Sequence, residues 1–324
     1  MKIHAVQQSN TVVARLVPHC HRVVGERRPI GAANSGQRGV FKSHVQPTRR
    51  GLMMCTATST DGRVTQRMEE CKQNKRTAFI PFLVAGDPSL DYTVKAIKAL
   101  DAAGADVIEL GVPYSDPLAD GPTIQAAATR ALQQGVILDK VIDVIRQVTP
   151  EISAPIVMFT YFNPIMARGL DRFCQQIKEA GASGLLVPDI PLEETQDIRE
   201  VATSYGLDLV LLATPTTPTP RMKAIAEKTQ GFVYLVSVTG VTGMRGATES
   251  RVEGLIKQLR ETTDKSIAVG FGVSGPEQAK QIKEWGADGV IVGSALVKAL
   301  GESSGPEEGL KAMTDLASSI RGAI

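Results

Sequence analysis

Three carboxylates, Glu109, Asp116 and Asp120, fall within twelve residues of one another in the stretch ELGVPYSDPLADGPT (109–123), among three prolines and two glycines. A pair of carboxyl groups in different surroundings can divide acid–base work. One loses its water, holds its proton more tightly and donates it, while the other stays ionised and accepts. The rest of the chain makes such a division necessary. All four histidines (His4, His19, His21 and His44) lie in the first 60 residues, so residues 61–324 contain none. That excludes Ser-His-Asp and Cys-His catalysis from the body of the chain, and histidine-ligated metal sites with them. Acid–base chemistry must fall to carboxylates, tyrosine or lysine. The cysteines, Cys20, Cys55, Cys71 and Cys174, show no CxxC spacing, which fits a reducing compartment and supports neither zinc nor a disulfide framework.

Glu109 ends an apolar run, ADVIEL, and such runs recur. Strands are expected at 78–86, 105–112, 155–161, 183–189, 207–214, 232–238, 266–272 and 288–294, most of them continuously apolar, as in parallel strands buried on both faces. Amphipathic segments separate them; in 91–103, Val94, Ile97, Leu100 and Ala103 make one helical stripe. AGADVIEL (103–110), AGASGLLV (180–187) and WGADGVIV (285–292) repeat a Gly-Ala turn before a strand, with glycine suited to a left-handed helix cap. Eight βα units over 61–324 give an α/β fold with the rhythm of a (β/α)8 TIM barrel. An open doubly wound sheet shares the alternation, but no GxGxxG follows the first strand.

Residues 1–60 carry nine Lys/Arg and a single acid, Glu26, leaving 27 basic and 33 acidic residues in 61–324. An Arg-rich, acid-poor leader containing Ser and Thr has the composition of an organelle transit peptide, expected to be disordered. No basic stripe continues into the body, which argues against nucleic-acid binding. No apolar stretch is long enough to span a bilayer.

In a barrel of this kind the site gathers at the C-terminal ends of the strands. There Glu109 is expected inside or at the lip of the barrel, with its proton affinity raised by apolar neighbours. Asp120 follows beyond a proline-stiffened loop, and Asp116 reads as exposed or as a loop cap. Gly270, Gly272, Gly293 and Ser294 form glycine turns after the last two strands, where backbone N–H groups can cradle a phosphate. The glycine-rich loop 240–246 could close over the same group. No lysine ends a strand, which disfavours a Schiff-base aldolase.

The motifs PFLVAGDP, IELGVPYSDPLADGPTIQAA, YFNP, VPDIPLEE, YLVSVTGVTGMRG, GFGVS and VGSALV resemble those of the tryptophan synthase α-subunit family over roughly residues 64–323. The resemblance implies a TIM barrel that cleaves indole-3-glycerol phosphate to indole and glyceraldehyde 3-phosphate with no metal or cofactor. By motif position it assigns Glu109 as the acid–base glutamate, Asp120 as the partner of the indole N–H and Tyr234 as the active-site tyrosine. Phe82, Phe159 and Tyr161 fall on the indole pocket, Phe159 in place of a smaller aliphatic residue common in bacterial members. Thr242 and Gly243 match the mobile loop, and Gly272, Gly293 and Ser294 match phosphate contacts. Pro113 and Asp116 match a loop that meets a β subunit, implying an αβ heterotetramer. The leader on this barrel implies a plastid protein. Two catalytic roles stay open, an α subunit passing indole to a β chain and a stand-alone lyase releasing it. A non-catalytic phosphate-binding barrel is opposed by the joint presence of Glu109, Asp120 and Tyr234.

Overall fold

The computed structural model describes residues 62–236, 245–270 and 272–324; the leader expected over 1–60 and the loop residues Thr242 and Gly243 lie outside them. The chain divides into two units, Met1–Cys55 and Thr56–Ile324, and every described residue belongs to the second. Eight strands close into a parallel barrel in chain order: β1 Ala78–Val84, β2 Ile108–Gly111, β3 Ile156–Phe159, β4 Gly184–Leu186, β5 Asp208–Ala213, β6 Val233–Val236, β7 Ile267–Gly270 and β8 Gly289–Val292. All eight expected strands are present. Where the residues beyond a strand's C-terminal end are described, they leave the sheet to build the loops that hold the site.

Alternation along the strands sorts side chains between two apolar layers. Ala78, Ile80, Val107, Val157, Leu186, Val210, Phe232, Ala268 and Ile291 fill the barrel interior. Their neighbours Phe79, Leu83, Ile108, Leu110, Leu209, Leu211, Val233 and Val290 face outward and pack in the larger core under the helices. Each copy of the Gly-Ala repeat ends a helix through a left-handed glycine, with φ of +91° at Gly104, +103° at Gly181 and +88° at Gly286. A side chain with Cβ is strained there, so the repeated glycine is a backbone requirement.

Sequence reading missed the helix Arg63–Gln73, which closes the N-terminal end of the barrel. Its signal was Val64, Met68 and Cys71, one helical stripe, and all three are buried in the interior cluster. Asp208 at the start of β5 accepts the N–H groups of Val64 (2.9 Å) and Thr65 (3.0 Å) and caps this helix from across the molecule. Loss of a cap of this type costs about 0.5–2 kcal/mol. Asp106 ties the same end together, accepting the Phe79 N–H at 2.9 Å and an Arg76 guanidinium N–H at 2.8 Å. With one end plugged and pinned, the other is left for chemistry.

Candidate active site

Glu109 sits mid-strand in β2 with Phe82 of β1 and Val157 of β3 as register partners. Its alternation points it into the barrel, where it is 0% exposed. Neither carboxyl oxygen has a hydrogen-bond partner among the described residues. A carboxylate stripped of water and given no donor in exchange is costly, so burial pushes its pKa from 4.5 to about 8. At neutral pH the group is a loaded acid.

Above it opens a cavity of about 820 Å³, lined by Phe82, Phe159, Asp120, Tyr234, Gly272, Gly293, Ser294 and residues of the loops after β4 and β5. Phe82 and Phe159 meet edge to face, their ring centroids 5.4 Å apart. Gly111 makes this possible, since a Cβ there would come within 2.7 Å of the Phe82 ring. Glu109 itself does not line the open cavity.

Asp120 lines the cavity from the loop before the helix Pro122–Gln133. Burial raises its pKa from 3.8 to about 6, opposed by a hydrogen bond that Tyr161 Oη donates to Oδ2 at 3.1 Å. The two carboxyls thus titrate at different pH, as a divided acid–base site requires. Tyr234 projects from β6 into the same cavity. Burial, then the nearby Glu109 and Asp120 charges, hold its hydroxyl protonated far above the ordinary tyrosine range. Gly270 on β7 leaves room for it, because a Cβ there would lie 2.8 Å from Tyr234 Oη.

The opposite wall is built to take an anion. Gly293 precedes the helix Ser294–Gly301, whose first turn faces the cavity with no side-chain cap. The helix dipole and its free N–H groups favour negative charge there. Gly272, which lines the cavity, has a left-handed φ of +36°, and a Cβ on it would meet no described residue within 4 Å. Lys298, one turn along the same helix from Ser294, lines the cavity as well.

A model of the tryptophan synthase alpha chain matches residues 68–324. The chain belongs to that family. It is 59% identical over 261 residues to the tryptophan synthase alpha chain of a Picosynechococcus species, covering 81% of this chain and 98% of the relative. The Arabidopsis thaliana alpha chain is 52% identical over 272 residues, covering 84% and 98%. Among solved structures, tryptophan synthase subunit alpha from Legionella pneumophila superposes with a TM-score of 0.74 at 36% identity, covering 81% of this chain and 98% of that one. A chain of the tryptophan synthase complex from Pyrococcus furiosus gives 0.70 at 38%, covering 76% and 98%.

Several residues take positions that their motifs did not specify. Tyr161, expected to line the indole pocket, is buried behind two residues that line the cavity, its hydroxyl bonded to the Ala119 N–H and to the Asp120 carboxylate. Pro113, expected to face a partner, is buried two residues beyond the end of β2. Asp116 is exposed, and its backbone carbonyl accepts the Leu118 N–H at 2.9 Å, so it is both loop cap and surface. Leu118, which drew no attention in the sequence, stands 93% exposed on the same loop.

Proposed function

We propose that the chain cleaves indole-3-glycerol phosphate to indole and glyceraldehyde 3-phosphate, with Glu109 and Asp120 dividing the proton transfers. One observation carries the reading: a fully buried, unpartnered carboxyl beneath a cavity that has a second carboxylate on one wall and an anion cradle on another. Neutral Glu109 gives its proton to indole C3. Asp120 takes the ring N–H as a hydrogen bond and stabilises the positive charge that protonation places on nitrogen. Glu109, now a carboxylate, removes the proton of the adjacent side-chain hydroxyl. The bond from C3 to the glycerol carbon breaks, its electrons return to the ring, and the hydroxyl carbon becomes the aldehyde. The proton that Glu109 gave is recovered, so the cycle closes without a further donor.

Phe82 and Phe159 supply apolar faces for the indole, and Tyr234 offers a hydroxyl that stays protonated. Gly272, Gly293 and Ser294 hold the phosphate. The chain works as an α subunit beside a β chain in an αβ heterotetramer, meeting it through Asp116 and the exposed Leu118, and residues 1–60 address it to the plastid stroma. The Pyrococcus furiosus relative is described as part of a complex, which supports the partnership. Incubating purified protein with indole-3-glycerol phosphate and following indole and glyceraldehyde 3-phosphate together tests the reaction. Equal release of the two supports it, and no release of either refutes it.

A further inference from the structure

Asp120 lies in a stretch with no regular structure between β2 and the helix Pro122–Gln133. Hydrogen bonds hold the backbone of this loop: Asp120 N–H to the Pro117 carbonyl at 3.1 Å, and Gln125 Nε2 to the Asp120 carbonyl at 2.9 Å. They leave the carboxylate free to rotate. What fixes it comes from another element. Tyr161 Oη accepts the Ala119 N–H at 3.0 Å and donates to Asp120 Oδ2 at 3.1 Å.

Tyr161 is itself held on three sides. It is 3% exposed and directly precedes the helix Phe162–Arg168, whose first N–H donates to Asp189 Oδ1 at 2.9 Å. Its ring stacks on that of Tyr114, with centroids 5.0 Å apart and planes inclined by 25°. Tyr114 Oη in turn accepts from Asn163 Nδ2 at 3.1 Å, which returns the chain of contacts to the same helix. Tyrosine has one hydroxyl proton. Because the oxygen of Tyr161 already accepts from Ala119, that proton is committed to Asp120, and the arrangement selects an oxygen able to accept.

We propose that Tyr114, Tyr161 and Asn163 form a strut that sets the Asp120 carboxylate, with Tyr161 as the positioning residue: it occupies Oδ2 and leaves Oδ1 for the substrate N–H. This rests on the lyase reading above and adds to it the device that orients the second carboxylate. Groups facing Asp120 from the surrounding elements are Tyr161, Tyr234 of β6 and, through Tyr234, Glu109 of β2, with Asp189 acting on Tyr161. Of these, only Tyr161 lowers the proton affinity of Asp120; burial raises it.

The test uses the full chain and indole-3-glycerol phosphate. Tyr161→Phe keeps the stacked ring and removes the hydroxyl. A lost hydrogen bond to a charged group corresponds to a fall in kcat of roughly ten- to a hundredfold, with KM nearly unchanged because the phosphate is held elsewhere. The ascending limb of the kcat–pH profile should move to higher pH, since Asp120 then loses the one acidifying partner it has among the described residues. Asn163→Ala, at an exposed position, keeps the fold secure and should move the same limb in the same direction by less. Tyr114→Ala combined with Tyr161→Phe should cost less than the sum of the single changes, as members of one network do. A wild type that releases indole, with a Tyr161→Phe variant of equal kcat and an unmoved limb, overturns the strut while leaving the lyase reading intact. So does a variant that loses only melting temperature. A wild type that releases no indole overturns both.

Discussion

Glu109 combines a liability and a function in the same two oxygen atoms. Its folded-state pKa, about 8, lies above the unfolded value of 4.5, so the fold favours the protonated form. Its contribution to stability is therefore fully present below pH 4.5 and is lost as pH rises toward 8, at about 1.4 kcal/mol per pH unit. Glu109→Gln keeps the shape and removes the titration. Its unfolding free energy relative to wild type should rise with pH across that window, reaching on the order of 3 kcal/mol near neutrality. Urea unfolding at a series of pH values measures this, and a difference that stays flat with pH would contradict the buried, unpartnered carboxyl. The same variant should lose about 10² or more in kcat, the scale of a missing general acid–base. For wild type, activity requires Asp120 ionised and Glu109 protonated at the start of the cycle. The kcat/KM profile should rise through about pH 6 and fall through about pH 8, the values to which burial raises Asp120 and Glu109. A profile still climbing at pH 9 would show that Glu109 does not begin as the acid.

At the scale of elements, the strand ends position these groups by leaving space as much as by filling it. Gly270 of β7 borders Tyr234 of β6 so closely that a Cβ would meet its hydroxyl at 2.8 Å. Gly270→Ala should push Tyr234 off its place in the cavity and lower kcat/KM by up to about 10², the cost of a displacement near 1 Å, while leaving the melting temperature close to wild type. The helix Ser294–Gly301 offers a separable prediction. Ser294→Ala removes one donor and should weaken glycerol phosphate binding by about 0.5–1.5 kcal/mol, measured by titration, with kcat little changed. These elements differ in how legible they were. The strands could be read because burial on both faces writes an uninterrupted apolar run, and the Gly-Ala repeat marked three helix ends by the backbone angle it permits. Glu109 could be read because a carboxylate inside such a run has few structural uses. For Tyr161 and Pro113 the motif gave position along the chain but not the direction of the side chain. Tyr161 follows β3 by two residues, where the chain turns into the helix Phe162–Arg168, and its hydroxyl is taken up by the Ala119 N–H and the Asp120 carboxylate. The helix Arg63–Gln73 escaped because it is polar apart from a narrow stripe, and its cap, Asp208, lies 144 residues away from Val64 in sequence.

The described residues form a barrel plugged at one end by a helix, with a cavity at the other over two carboxylates, an aromatic pair and an anion cradle. The leader's nine basic residues against one acid predict that a full-length fluorescent fusion enters plastids and that a fusion beginning at residue 56 remains in the cytosol. Import of the shortened fusion would reject the address. The loop carrying Asp116 and Leu118 runs directly into Asp120, so a β chain that grips it can fix the second carboxylate relative to the first. Such positioning is worth up to about 10² in rate, and Asp116→Ala should reduce the activation while sparing the basal rate. The central claim is that Glu109 and Asp120 together cleave the bond between indole and its glycerol side chain. Its most direct test is the rate of indole release from indole-3-glycerol phosphate by wild type, Glu109→Gln and Asp120→Asn, each alone and with an added β chain. The structure predicts slow release by wild type, a rise of one to two orders of magnitude with the β chain, and loss of about 10² or more in each variant under both conditions. Release by Glu109→Gln at the wild-type rate would contradict it.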